Sequence, residues 1–139
     1  MIGRSTYLLL VAVVAAAVTA TGVSARTSTP LDGTWTWTWT RDDVGRARAG
    51  AYDFGRYTAT LANGRATARN LRTGRVRHAK YFVHGNVVGF VFPERSVGVV
   101  PGRMYELKWS IYRDRLRFTE LPGRSVLTLL PLEPWTRVR

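Results

Sequence analysis

Two histidines, nine carboxylates and no cysteine are what this chain of 139 residues brings to acid–base, nucleophilic or metal chemistry. His78 and His84 stand six apart. On one continuous strand they would share a face but lie about 20 Å from each other, too far to hold one metal ion. The absence of cysteine excludes thiolate ligands, thiol nucleophiles and redox switching. Adjacent carboxylates occur only at Asp42-Asp43, beside Arg41, where a helix cap or a salt-bridged loop explains them better than general acid–base work. No serine sits in a nucleophile elbow, and no glycine-rich segment has the spacing of a phosphate loop. Ser110 reads as an outward polar residue in mid-strand. No catalytic residue, metal site or cofactor is expected, and the chain reads as a non-enzyme.

Aromatic surface and positive charge are better represented. From Gly33 to Thr40, threonine and tryptophan alternate. Period two is the signature of a strand, which sends successive side chains to opposite faces. Trp35, Trp37 and Trp39 would then form a ladder on one face, with hydroxyls on the other. The same pattern continues downstream. Tyr57, Ala59 and Leu61 alternate with Arg56, Thr58 and Thr60. Tyr105, Leu107, Trp109 and Ile111 share a face opposite Glu106, Lys108 and Ser110. Leu116 and Phe118 oppose Arg115, Arg117 and Thr119.

These side chains need a sheet to hold them. Strands are expected at Gly33–Thr40, Asp53–Leu61, Arg65–Leu71, Val76–Val83, Val87–Phe92, Arg103–Tyr112, Asp114–Glu120 and Trp135–Arg139. Asn63-Gly64 is a strong hairpin signal, because both central residues of that turn need positive φ. Residues 41–52 lack alternation and read as a loop with one helical turn started by Asp42 or Asp43. Residues 93–102 form a longer connection. The apolar run 126–130 fits either a helical turn or an edge strand. Turns every 8–12 residues point to a sandwich or barrel. The fold class expected is all-β: an up-and-down antiparallel β-barrel of about eight strands over residues 33–139. With no disulfide available, closing the sheet on itself removes its edges.

The N-terminus has another character. A short basic start ending at Arg4, an apolar run from Tyr7 to Val18, and Val23-Ser24-Ala25 together read as a secretory signal peptide over residues 1–25. An uncleaved anchor is the alternative, although the apolar run falls short of the roughly 20 residues a bilayer needs. Residues 26–32 read as a polar linker. The expected location is secreted or extracytoplasmic, as a monomer.

Three patterns resemble the calycins, the superfamily of lipocalins, fatty-acid-binding proteins and avidins. They are Asp32-Gly33-Thr34-Trp35, the hairpin Lys108-Trp109-Ser110-Ile111-Tyr112-Arg113-Asp114-Arg115-Leu116-Arg117-Phe118, and Pro134-Trp135-Thr136-Arg137-Val138. The likeness is nearest to a lipocalin-like domain of exported proteins from high-GC Gram-positive bacteria, found alone or after a solute-binding domain of an ABC transporter. In calycins the Trp of Gly-x-Trp packs at the closed barrel end under an arginine from the last strand. The resemblance therefore implies structural roles for Gly33 and Trp35 with Arg137, in a cation–π contact. A haem site like that of the nitrobindins is not expected, because their longer glycine-rich opening is missing.

An eight-stranded barrel can be filled by side chains or hold one small ligand. The inward positions of the third strand are Ala66 and Ala68, where large residues would fill the centre. Jigsaw packing against tryptophan and a pocket wall are both consistent with them. The leading expectation is a small, mostly apolar ligand walled by Trp37, Trp39, Tyr57, Tyr105 and Trp109, with room made by Ala66 and Ala68. The 41–52 loop and the 93–102 connection would frame the mouth.

A second expectation comes from charge. The formal net charge is +12, and only Lys80 and Lys108 of the 21 basic residues are lysines. Arginine preference in a GC-rich genome and selection for an anionic partner both account for that. Arg65, Arg69, Arg72, Arg75 and Arg77 cluster over two strands and a turn, and Arg113, Arg115 and Arg117 line another face. Adhesion to an anionic wall polymer or to lipid is the alternative function. Nucleic acid is not expected, since the aromatics are read as pointing into the barrel, away from the arginines. Docking onto an ABC-type solute-binding protein is a third possibility.

Overall fold

A computed structural model describes residues 27–46, 54–95, 99–123 and 133–139. The expected signal peptide and the ambiguous 126–130 run lie outside the described residues. Eight strands follow in chain order: β1 (Gly33–Trp39), β2 (Gly55–Ala62), β3 (Arg65–Asn70), β4 (Val76–His84), β5 (Val87–Val91), β6 (Met104–Tyr112), β7 (Arg115–Glu120) and β8 (Trp135–Arg137). Each pairs antiparallel with the next, and β1 pairs with β8, so the sheet closes into an up-and-down barrel. The one helix described is α1, Arg41–Arg46.

The strands are where alternation demanded them. In β1, Trp35, Trp37 and Trp39 are buried while Thr38 is exposed. In β2, Tyr57, Ala59 and Leu61 are buried. In β7, Leu116 and Phe118 are buried between exposed arginines. The turns follow the same logic. Asn63 and Gly64 have φ of 53° and 74°, and Arg113 and Asp114 have 47° and 62°. Two successive positive φ values match the right-handed twist of the strands they join.

The helix departs from expectation in its cap. Thr40, rather than Asp42 or Asp43, starts it. The Asp43 amide donates to Thr40 Oγ1 at 3.2 Å, while the Thr40 amide and hydroxyl donate to the Asp43 carboxylate at 2.8 and 2.7 Å. This is a reciprocal capping box with aspartate in the third helical position. It also explains why Asp43 is buried.

The two barrel ends differ. At one, the turn end, lie the tight hairpins after β2, β4 and β6, together with residues 27–32 and 138–139. At the other, the loop end, β1, β5 and β7 finish and β2, β6 and β8 begin. Residues 29–32, expected as linker, in fact close the turn end. Leu31 is fully buried, and its carbonyl accepts a hydrogen bond from Trp35 Nε1 at 2.8 Å. Arg137 donates to the carbonyls of Asp32 and Pro30, both at 2.9 Å.

Candidate binding site

The barrel interior gathers the residues that the sequence singled out. On the wall made by β1, β2 and β8, the rings pack on one another. Trp37 stacks on Trp135 with centroids 3.9 Å apart and planes 4° from parallel. On its other side Trp37 stacks on Tyr57 at 5.1 Å. Trp39 meets Trp37 edge-on at 5.7 Å and Tyr57 at 4.8 Å. The register explains the cluster, because Trp37 and Tyr57 are directly opposite in β1 and β2. Offset-stacked and edge-to-face geometries suit the ring quadrupoles.

Among the described residues, four indole N–H groups in this interior meet no acceptor: Trp37, Trp39, Trp109 and Trp135. Unpaired buried donors are uncommon and costly in folded proteins. The nitrogens are enclosed by protein atoms, so Trp37 and Trp39 act as a packed aromatic wall.

The opposite character appears on β2, β3 and β4. Ala59 pairs with Ala68, and Ala66 pairs with Ala79. Four alanines thus form one contiguous inner patch. Ala59 and Ala79 are buried, whereas Ala66 and Ala68 keep partial exposure although they point inward. Tyr105 and Trp109 lie on β6, three strands round from β3. Tyr105 is buried, and its hydroxyl accepts the Val100 amide hydrogen at 2.8 Å, which pins the 93–102 connection to the barrel. Trp109 is partly exposed and packs against the core.

Guanidinium groups stand at the loop end. Two guanidinium groups lie over Phe54, that of Arg72 3.6 Å from its ring centroid and that of Arg41 at 4.7 Å. Buried Asn70 fixes this corner. Its side-chain nitrogen donates to the Phe54 carbonyl at 3.1 Å, and its oxygen accepts the amides of Arg72 and Thr73. Arg77 pairs with Ala68 and shares the inward parity of Ala79 and Tyr81. The arginine cluster read from the sequence is therefore split. Arg65 and Arg69 face out, Arg72 folds over Phe54, and Arg77 faces in.

At the turn end, Arg137 lies 4.3 Å over the Trp35 ring and opposite Trp35 in the ladder. Gly33 permits this. Its φ is +138°, and a Cβ there would sit 2.8 Å from the Arg137 guanidinium.

No family model, curated protein or solved structure matches this chain. Among the described residues, no cluster of three histidine or carboxylate side chains could hold a metal ion. His78 is exposed beside Thr67, with Nδ1 3.3 Å from the hydroxyl, and His84 is exposed at the end of β4.

Three features escaped the sequence reading. The first is Tyr81, buried in β4, which donates its hydroxyl hydrogen to Asp32. Inward parity in β4 was its only signal. The second is buried Asn70, recognisable only as an asparagine before a turn. The third is on the outer surface, where Phe82 and Tyr112 are 54% and 72% exposed. The expectation that aromatics avoid the arginine faces fails at both. Tyr112 stacks with Arg113 at 5.3 Å, and Phe82 stands beside Lys80.

Proposed function

We propose that this barrel is an exported, non-catalytic carrier of one small, mostly apolar molecule. The observation that carries the reading is the alanine patch. Ala66 and Ala68 point inward yet keep exposed surface, across from a β6 wall bearing Tyr105 and Trp109. Small residues on one wall and aromatic ones on another describe a concave, apolar site. The enclosed Trp37–Trp39–Tyr57–Trp135 cluster supplies a rigid side wall, so little ordering remains to be done on binding. The loop end, with Phe54 and its flanking arginines, is the mouth. The resemblance to calycins supports the same reading, and the signal-like N-terminus supports export.

The test is native mass spectrometry of protein purified without denaturation from a secreting high-GC Gram-positive host. A discrete added mass that leaves on denaturation is the expected result, and it names the ligand class. Ala66→Trp and Ala68→Trp each fill the lumen and should abolish that mass while a folded circular-dichroism signal persists. Two folded variants that keep the ligand at unchanged affinity overturn the reading.

A second reading rests on Arg65, Arg69, Arg115 and Arg117, all outward and exposed. Binding through them to anionic polymer or lipid weakens steeply with salt, whereas occupancy of an apolar lumen does not.

A further inference from the structure

Strand β4 outruns its neighbour. Its register with β3 ends at Arg65↔Lys80, but β4 continues to His84. The Tyr81 amide still donates to the Gly64 carbonyl at 2.9 Å, so residue 81 turns its hydrogen-bonding groups toward β3. Two residues on, Val83 turns its N–H and C=O the same way. By then β3 has already bent into its hairpin. Phe82 and His84 turn theirs toward β5, where Gly89 and Val87 pair with them. The stretch Phe82–His84 is therefore a short open edge on an otherwise closed barrel.

That edge lies in an open groove of about 510 Å³. Thr27 and Thr29 of the N-terminal segment are on its border, and Arg65, Lys80, Phe82 and Val83 line it. Among the described residues, no acidic side chain lines the groove. Arg65 and Lys80 are direct cross-strand neighbours, both exposed, and neither meets an ion-pair partner among the described residues. Like charges placed opposite each other repel and go unrepaid within the chain. Phe82, an apolar ring, is exposed beside them.

We propose that this groove receives an acidic segment of a partner protein, laid in extended form against β4. Three observations select that occupant. The unpaired edge asks for a backbone that can both donate and accept, which is strand addition. The Arg65–Lys80 pair asks for carboxylates. The Phe82 ring asks for one apolar side chain between them. Phosphates and stacked bases of a single strand would satisfy the charges and the ring. They offer no backbone amide in register with Val83, so peptide is preferred. The open edge limits the match to about three residues at roughly 3.3 Å each.

The test is an amide NMR titration of the full-length chain, isotope-labelled, with acetyl-Glu-Thr-Val-Thr-Glu-amide at low salt, whose two carboxylates and central valine share one face when extended. Three comparison probes are the same peptide N-methylated at its backbone, acetyl-Lys-Thr-Val-Thr-Lys-amide, and an oligothymidylate of similar charge. The expected result is a saturable shift at Gly64, Phe82 and Val83 with the acidic peptide. It should be lost on N-methylation and absent with the lysine peptide. Charge reversal in Arg65→Glu/Lys80→Glu should weaken binding by about tenfold or more, because it turns attraction into repulsion. Arg65→Ala/Lys80→Ala, at exposed positions, keeps the fold and should weaken it less. Four outcomes overturn the proposal: no shift at these amides, shifts centred on the Arg115–Arg117 face, equal binding by the N-methylated peptide, or tighter binding of oligothymidylate in the same groove.

Discussion

Tyr81 donates its phenolic hydrogen to the carboxylate of Asp32, 49 positions earlier in the chain. That carboxylate also accepts from the Thr29 hydroxyl at 2.7 Å and meets the backbone of Thr29 and Asn63. The Asp32 carbonyl accepts from Arg137. One aspartate thus ties the N-terminal segment, the β2–β3 turn, β4 and β8 together at the turn end.

Tyr81→Phe removes the donor but keeps the ring. A hydrogen bond to a charged group contributes about 1.5–3 kcal/mol. The urea midpoint should fall by a corresponding amount with the slope unchanged. A midpoint equal to the wild type's would mean that other contacts hold the end shut.

The same pair predicts pH dependence at both extremes. Burial alone would raise the Asp32 carboxyl, but the hydrogen bonds from Tyr81 and Thr29 outweigh it and hold the group below 3.8. A depressed carboxylate contributes stability above its unfolded pKa and loses it as pH falls through the folded one. Asp32→Asn should flatten this acid limb. Tyr81 moves the other way. Burial, then the hydrogen bond to Asp32, pushes its phenol from 10.0 up to about 12. That contribution is present below pH 10 and is lost as pH rises toward about 12. Phenolate absorbance should show a late-titrating tyrosine that returns toward normal in Asp32→Asn.

Two glycines should respond differently to alanine. Gly33→Ala places a Cβ against the Arg137 guanidinium, in a φ region that side chains avoid. It should cost about 1–3 kcal/mol. Gly89→Ala meets only the flexible end of Met104, which is itself exposed, at extended φ. Its effect should stay within about 0.5 kcal/mol. Thermal unfolding of the two variants side by side checks the contrast.

Trp35 and Trp135 are both buried, yet only Trp35 uses its N–H. Trp35→Phe strands the Leu31 carbonyl, whereas Trp135→Phe removes a donor that had no acceptor. Trp35→Phe should be the more destabilising by about 1 kcal/mol or more. Equal losses in denaturant titrations would show that ring volume alone matters.

Much of the barrel was legible because one side of each strand is buried. Slipping the register by one residue would turn the Trp35–Trp37–Trp39 ladder outward, so alternation and pairing specify each other. The Asn63-Gly64 turn was readable because few residue pairs tolerate its backbone. The Trp35–Arg137 contact was implied by the family likeness and by the need to pair the first and last strands. Asp32 with Tyr81 was not legible, since nothing local marks a carboxylate as the partner of a distant phenol. Arg77 was taken with its neighbours as surface charge, and only the register shows it facing inward. The Thr40 cap was hidden because two adjacent aspartates each offered the same local chemistry. Stacking of the tryptophans on one another, rather than around open space, depends on rotamers that spacing does not encode.

Strand β8 is only three residues long and meets each neighbour through two residue pairs. It is the seam of the barrel. Before Trp135–Arg137 docks, β1 and β7 are bare edges, and Trp35 lacks the cation above it. The same seat is complementary to β8 of any identical chain. The least costly dimer of this fold is therefore one in which two copies exchange their last strands. High concentration during refolding would favour that exchange, and the swapped pair would keep every contact described within a single barrel.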